Sequence, residues 1–157
     1  MKKYTIYTDG SDLKHTTHRM GIGGVLLGPG GTEVDRFGLE LTPVYLKSEY
    51  GTSDCSNPTA EIVAAREALE RWSHLWKPGD KVELKADYLG VSKWTIGEWK
   101  IKKPYIRVAV DAIRRLVQET GIEVTWTWVK GHQAPGVYGT ESYWNGVVDR
   151  LAKGAKS

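Results

Sequence analysis

The order in which two hydrophobic periods follow one another most limits what this chain can become. Residues 3–9, 20–28 and 32–41 read as strands, and the run Gly28-Pro29-Gly30-Gly31 joins the last two as a hairpin. After residue 57 the pattern changes. Ile62, Ala65, Leu69 and Trp72 share a helical stripe that opens with Asn57 as N-cap and Pro58 at the first helical position. A strand follows at 81–87, then a short helical stretch from Tyr88. A second stripe carries Ile106, Val110, Ile113 and Val117 and stops at Gly121, before a strand at 122–129 and a last helix. Strands first and alternation afterwards describe an α/β chain: one mixed five-stranded sheet, three strands antiparallel and two parallel, flanked by helices. No repeat, low-complexity tract or linker divides it, so residues 1–157 are read as one domain. Residues 42–57 follow neither period and are expected to form a long loop.

Bulk properties exclude several classes. A chain of 157 residues with 40% hydrophobic and 26% charged content can bury an ordinary core. The net charge of +3 permits an anionic partner but does not by itself argue for nucleic acid. One cysteine, Cys55, cannot form an internal disulfide, which favours a reducing compartment and a cytoplasmic location. No apolar run is long enough to span a bilayer, and Met1-Lys2-Lys3 leads directly into a strand, so no membrane partner is expected.

Four acids carry the chemistry. Asp9 closes the run Tyr4-Thr5-Ile6-Tyr7-Thr8 and Asp87 closes Lys81 to Ala86, so adjacent parallel strands would set the two carboxylates side by side. Glu61, in the first turn of the helix after Asn57, and Asp149, in the helix ending at Lys153, can reach the same rim. One acid at a strand end is most often a turn or cap carboxylate. Four in these contexts read as a two-metal nuclease site. Phosphodiester hydrolysis builds negative charge on the entering and the leaving oxygen, and two divalent cations about 4 Å apart neutralise both. Hard cations such as Mg²⁺ take oxygen ligands, and the chain offers carboxylates with no His/Cys cluster.

The same residues fall into an ordered set of motifs: Thr8-Asp9-Gly10-Ser11, then Asn57-Pro58-Thr59-Ala60-Glu61, then Asp87, then Val129-Lys130-Gly131-His132 and Asn145-x-x-x-Asp149-Arg150-Leu151-Ala152. This set resembles the type 1 ribonuclease H family over nearly the whole chain. The resemblance implies a ribonuclease H-like fold and a monomeric enzyme that cuts the RNA strand of RNA–DNA hybrids to 5′-phosphate and 3′-hydroxyl ends. It implies Asp9, Glu61, Asp87 and Asp149 as ligands of two Mg²⁺ ions, with Mn²⁺ as an alternative, and His132 as an assisting proton-exchange or product-release residue. Gly10, Ser11, Asn57 and Asn145 stand at positions implied to face the substrate. Ser56 can hold a phosphate of the opposite strand, and Trp94, Trp99, Lys100, Lys102 and Lys103 supply basic charge with aromatic surface.

The chain departs from the family pattern at Tyr88, bulky where a small polar residue is usual, and at Pro58, where a donor to the minor groove is often found. The loop holding His132 is longer than usual, and the basic segment after Trp99 is shorter. Trp72, Trp76, Trp126 and Trp128 are read as packing residues, and Cys55 has no partner to activate it. Two other readings compete: a non-catalytic hybrid- or double-stranded-RNA-binding module, which would be expected to have lost an acid, and a DNA-processing nuclease of the same fold.

Overall fold

The computed structural model describes residues 1–14, 19–131 and 136–154. Among them five strands form one sheet in the order β3-β2-β1-β4-β5: β1 (Lys3–Lys14), β2 (Arg19–Leu27), β3 (Glu33–Leu41), β4 (Lys81–Ala86) and β5 (Glu123–Trp128). The first three pair antiparallel, and β4 joins β1 and β5 in parallel. The helices are α1 (Pro43–Tyr50), α2 (Asn57–Arg71), α3 (Leu89–Thr95), α4 (Pro104–Thr120) and α5 (Glu141–Lys153). The mixed sheet with flanking helices is the architecture expected from the order of periods.

Strand alternation divides the core between two faces. On one, Ile6, Leu26 and Leu84 pack under Ile62, Ala65 and Leu69 of α2 and Val110 and Ile113 of α4. On the other, Tyr7, Val25 and Leu27 meet Trp144, Val147 and Val148 of α5. Trp144 is 1% exposed, and truncating an aromatic so buried costs about 3–5 kcal/mol. The two central strands accept these helices at close range because glycines face them. A Cβ on Gly10 would lie 2.2 Å from the Ala60 carbonyl of α2, and one on Gly23 would lie 2.7 Å from the Val148 carbonyl of α5. Close approach at these points carries Glu61 and Asp149 towards the end of the β1–β4 pairing, inside the sheet.

Four details differ from the sequence reading. β1 does not end at Asp9: it continues to Lys14 because β2 keeps pairing with it, Asp9 opposite Gly23 and Asp12 opposite Met20. What ends there is the parallel pairing, since β4 stops at Ala86 opposite Thr8. Asp9 is therefore held inside a strand on one side and open on the other. Second, residues 42–57 are not all loop. Thr42 caps α1 by accepting the N–H of Tyr45, Pro43 opens the helix, and Gly51 closes it in the left-handed region at φ 72°. Its eight residues bury only Leu46 and Tyr50, too few to show a period. Third, the N-cap of α2 is Ser56, whose carbonyl accepts from Ala60 N at 2.9 Å, and Asn57 is the first helical residue. Glu61 thus sits in the second turn rather than the first. Fourth, Trp126 packs half-buried against the core, whereas Trp128, at the end of β5, is 50% exposed. Trp72 and Trp76 are buried, as expected.

Candidate active site

The end of the β1–β4 parallel pairing opens a cleft of about 510 Å³. Asp9 reaches it from β1, Glu61 from α2, Asp87 from the residue after β4, and Asp149 from the last turns of α5. Asp9, Glu61 and Asp87 each offer a carboxylate oxygen within 4.8 Å of the other two, while Asp149 lines the same cleft and pairs with Lys153 at 3.3 Å. The first two are 4% and 6% exposed, so water screens them little.

The electrostatics follow from that crowding. Burial pushes the Asp9 carboxyl from an ordinary 3.8 up to about 7, and the Asp87 and Asp149 charges add to the rise, while a hydrogen bond with Glu61 opposes it. Burial also holds Glu61 well above the usual carboxylate range, with the negative charge of Asp9 and Asp87 as further causes. One oxygen of Glu61, Oε1, is buried with no hydrogen-bond partner among the described residues. A buried carboxylate oxygen without a partner, beside further carboxylates, belongs to a donor set that suits a hard divalent cation.

The remaining predicted residues divide between two places. Gly10, Ser11 and Asn57 line the acid cleft, and Asn57 Oδ1 accepts the N–H of Asp12 at 3.0 Å, tying the start of α2 to β1. Ser56, Trp94, Lys100, Lys102 and Lys103 line a neighbouring groove of about 270 Å³. Trp99 does not line it, but packs edge-on against Trp94 at 6.1 Å and Tyr88 at 6.4 Å between ring centres. Asn145 is buried on α5, one helical turn before Asp149, and does not itself line the cleft. His132 lies outside the described residues; the glycine before it, Gly131, passes so close to Asp87 that a Cβ there would sit 2.8 Å from Oδ2.

Tyr88 belongs to both walls, separating the acid cleft from the lysine groove. The cleft also takes in Trp128, Lys130 and Lys153, which the sequence reading did not assign to the site. The Trp128 indole N–H donates to the Asp87 carbonyl at 3.1 Å and so fixes the backbone that carries the third acid. Lys153 was legible as the residue four after Asp149, one helical turn along the same face.

Comparison with known proteins agrees with this geometry. The RNase H family model matches residues 1–157. The chain belongs to the RNase H family. Membership makes it a ribonuclease, as the motif set of Asp9, Glu61, Asp87 and Asp149 implied. A ribonuclease H of Verminephrobacter eiseniae is 32% identical over 168 residues, covering 99% of this chain and 97% of the relative. RNase H1 from the halophilic archaeon Halobacterium salinarum superposes with a TM-score of 0.70 at 24% identity, covering 98% of this chain and 96% of that one. LC11-RNase H1, solved in complex with an RNA/DNA hybrid, gives a TM-score of 0.75 at 19% identity over 97% of this chain and 95% of its own. No helix among the described residues is long and apolar enough to cross a membrane.

Proposed function

We propose that the chain, acting as a single domain and a monomer, is an endonuclease that hydrolyses the RNA strand of RNA–DNA hybrids with two divalent cations, leaving 5′-phosphate and 3′-hydroxyl ends. The observation that carries this reading is the convergence of Asp9, Glu61 and Asp87 to within 4.8 Å in a cleft that Asp149 shares. Hybrid as substrate is supported by family membership and by the complex formed by LC11-RNase H1, which has the same fold.

In this reading Asp9, Glu61, Asp87 and Asp149 hold the ions, Mg²⁺ or Mn²⁺. When bound, the cations supply the positive charge that the attacking and leaving oxygens of the phosphodiester lack. The rest belongs to the protein. Burial of Asp9 and Glu61 excludes bulk water from the charged centre and keeps the field strong. Ser11 and Asn57, on the cleft rim, offer a hydroxyl and an amide to the 2′-hydroxyls of a wide minor groove, by which an RNA strand differs from DNA. Lys100, Lys102 and Lys103 carry charge for the backbone of the other strand, with Trp94 supplying apolar surface beside it. His132 is assigned proton exchange near neutral pH, which an imidazole can perform.

All four acids reach one cleft, which weighs against a binding module that has lost catalysis. The test is cleavage of a short labelled hybrid with Mg²⁺ and with a chelator, by wild type and by Asp9→Asn. Metal-dependent cleavage that Asp9→Asn abolishes is expected; metal-independent cleavage, or an active Asp9→Asn enzyme, would overturn the reading.

A further inference from the structure

The lysine groove beside the acid cleft is built over a carboxylate. Asp54, in the connection between α1 and α2, accepts four hydrogen bonds: Ser56 N–H at 3.1 Å, and the hydroxyls of Ser56 at 2.9 Å, Thr59 at 2.5 Å and Tyr105 at 3.0 Å. Burial of Asp54 favours the acid form, but the hydrogen bonds from Thr59, Ser56 and Tyr105 outweigh it and hold the carboxyl below its usual range. Asp54 is therefore ionised at neutral pH and can only accept.

A hydroxyl has one hydrogen. With those of Ser56 and Thr59 both given to Asp54, the 3.2 Å contact between the two oxygens has no hydrogen left to share, and neither group can donate to a phosphate. Ser56 and Thr59 both line the groove, and with their hydrogens given to the half-buried Asp54 carboxylate their oxygens have only lone pairs to offer it. The polarity runs on to the rim, where Tyr105 donates to Asp54 and offers its ring to the Lys103 ammonium at 5.8 Å. The sequence reading gave Ser56 to a phosphate, and the direction of its hydroxyl hydrogen argues otherwise.

We propose that Asp54 is a specificity-determining positioning residue of the lysine groove, drawing the hydroxyl hydrogens of Ser56, Thr59 and Tyr105 inwards so that the groove floor presents acceptors and repels phosphate. Backbone phosphates are then held at the lysine rim alone, and the groove binds a nucleic-acid strand more weakly than its basic charge would allow. The inference rests on the hybrid-cleaving function proposed above, and wild-type cleavage of hybrid is the control that separates the two. Asp54 touches neither the acids nor the scissile bond, so its effect belongs in KM rather than in kcat.

The experiment is steady-state cleavage of a short hybrid by wild type, Asp54→Asn, Ser56→Ala and the double variant, with melting temperatures recorded for each. Asp54→Asn removes the charge and frees at least one hydroxyl hydrogen for a phosphate, so KM is expected to fall roughly 3- to 10-fold with kcat within about twofold of wild type. Ser56→Ala is expected to raise KM more in the Asp54→Asn background than in the wild-type one, because only there can that hydroxyl donate. A merely structural role predicts the reverse, a lower melting temperature and a KM that rises. Should Asn disturb the fold, Asp54→Ser repeats the test with a short uncharged side chain. An unchanged or higher KM in a folded Asp54 variant, with wild-type cleavage intact, would overturn the proposal; absence of wild-type cleavage would instead defeat the function on which it rests.

Discussion

Neutralising Asp9 should make the cation-free protein more stable while it destroys activity. The Asp9 carboxyl is 4% exposed and rises from 3.8 to about 7 on folding, first through burial and then through the charges of Asp87 and Asp149. The folded chain therefore binds more protons than the unfolded chain between pH 3.8 and about 7, and stability is lost as the pH rises through that window. Below it the penalty is absent; above it the penalty is complete, at most about 4 kcal/mol for a rise of that size. Asn keeps the shape and the acceptor oxygen, which bonds the N–H of Gly10 at 3.0 Å, and discards the charge. Asp87 and Asp149 are partly exposed, so solvent screens their charges and the recoverable part falls to about 2–3 kcal/mol, or roughly 5–10 °C in melting temperature for a chain of this length. Thermal scans of wild type and Asp9→Asn in chelator, from pH 4 to pH 8, measure it directly. The variant should melt several degrees higher at pH 8, and the gap should close towards pH 4. Added Mg²⁺ should then raise wild type more than the variant, since a ligand of the native state stabilises in proportion to its binding. A variant that melts lower than wild type at pH 8, or a gap independent of pH, would refute the crowded-carboxylate argument.

Other residues give shorter tests. Replacing Lys100, Lys102 and Lys103 together by alanine should weaken hybrid binding and lower its salt slope by up to about three, near one for each phosphate no longer neutralised; an unaltered slope in a fluorescence titration would make them a solvated face. His132→Ala should lower kcat by roughly 10- to 100-fold with a smaller change in KM, and a wild-type kcat on a short hybrid would show that the imidazole takes no part. Gly10→Ala places a methyl 2.2 Å from the Ala60 carbonyl, so α2 must shift and the protein should lose about 3 kcal/mol or more in denaturant titration.

How much of this was legible depended on the range of the signal. Each of the longer strands and helices repeats its period often enough to be read, and the sheet order follows from strands first and alternation afterwards. The acid positions were legible because β1 and β4 run parallel with Thr8 opposite Ala86, which sets Asp9 and Asp87 next to each other whatever the loops do. Helix α1 was not, since eight residues with two buried positions make no period, although Thr42-Pro43 and Gly51 were its start and stop signals. Trp128 was misplaced because alternation in β5 predicts a face but not where the covering helices end. The Asp54 network was invisible for a different reason. It joins Asp54, in the connection between α1 and α2, to Tyr105 on α4, and only the packed chain shows where Tyr105 donates its hydrogen.

The central claim is that the four acids serve divalent-cation-dependent hydrolysis of RNA paired with DNA. The most direct measurement offers purified protein three end-labelled duplexes of one sequence, RNA–DNA, RNA–RNA and DNA–DNA, with Mg²⁺, and identifies the cut strand and its new ends. The account predicts internal cuts in the RNA strand of the hybrid alone, with 5′-phosphate and 3′-hydroxyl ends and no cutting in chelator. Cutting of the DNA strand, equal cutting of duplex RNA, or 3′-phosphate ends would contradict it.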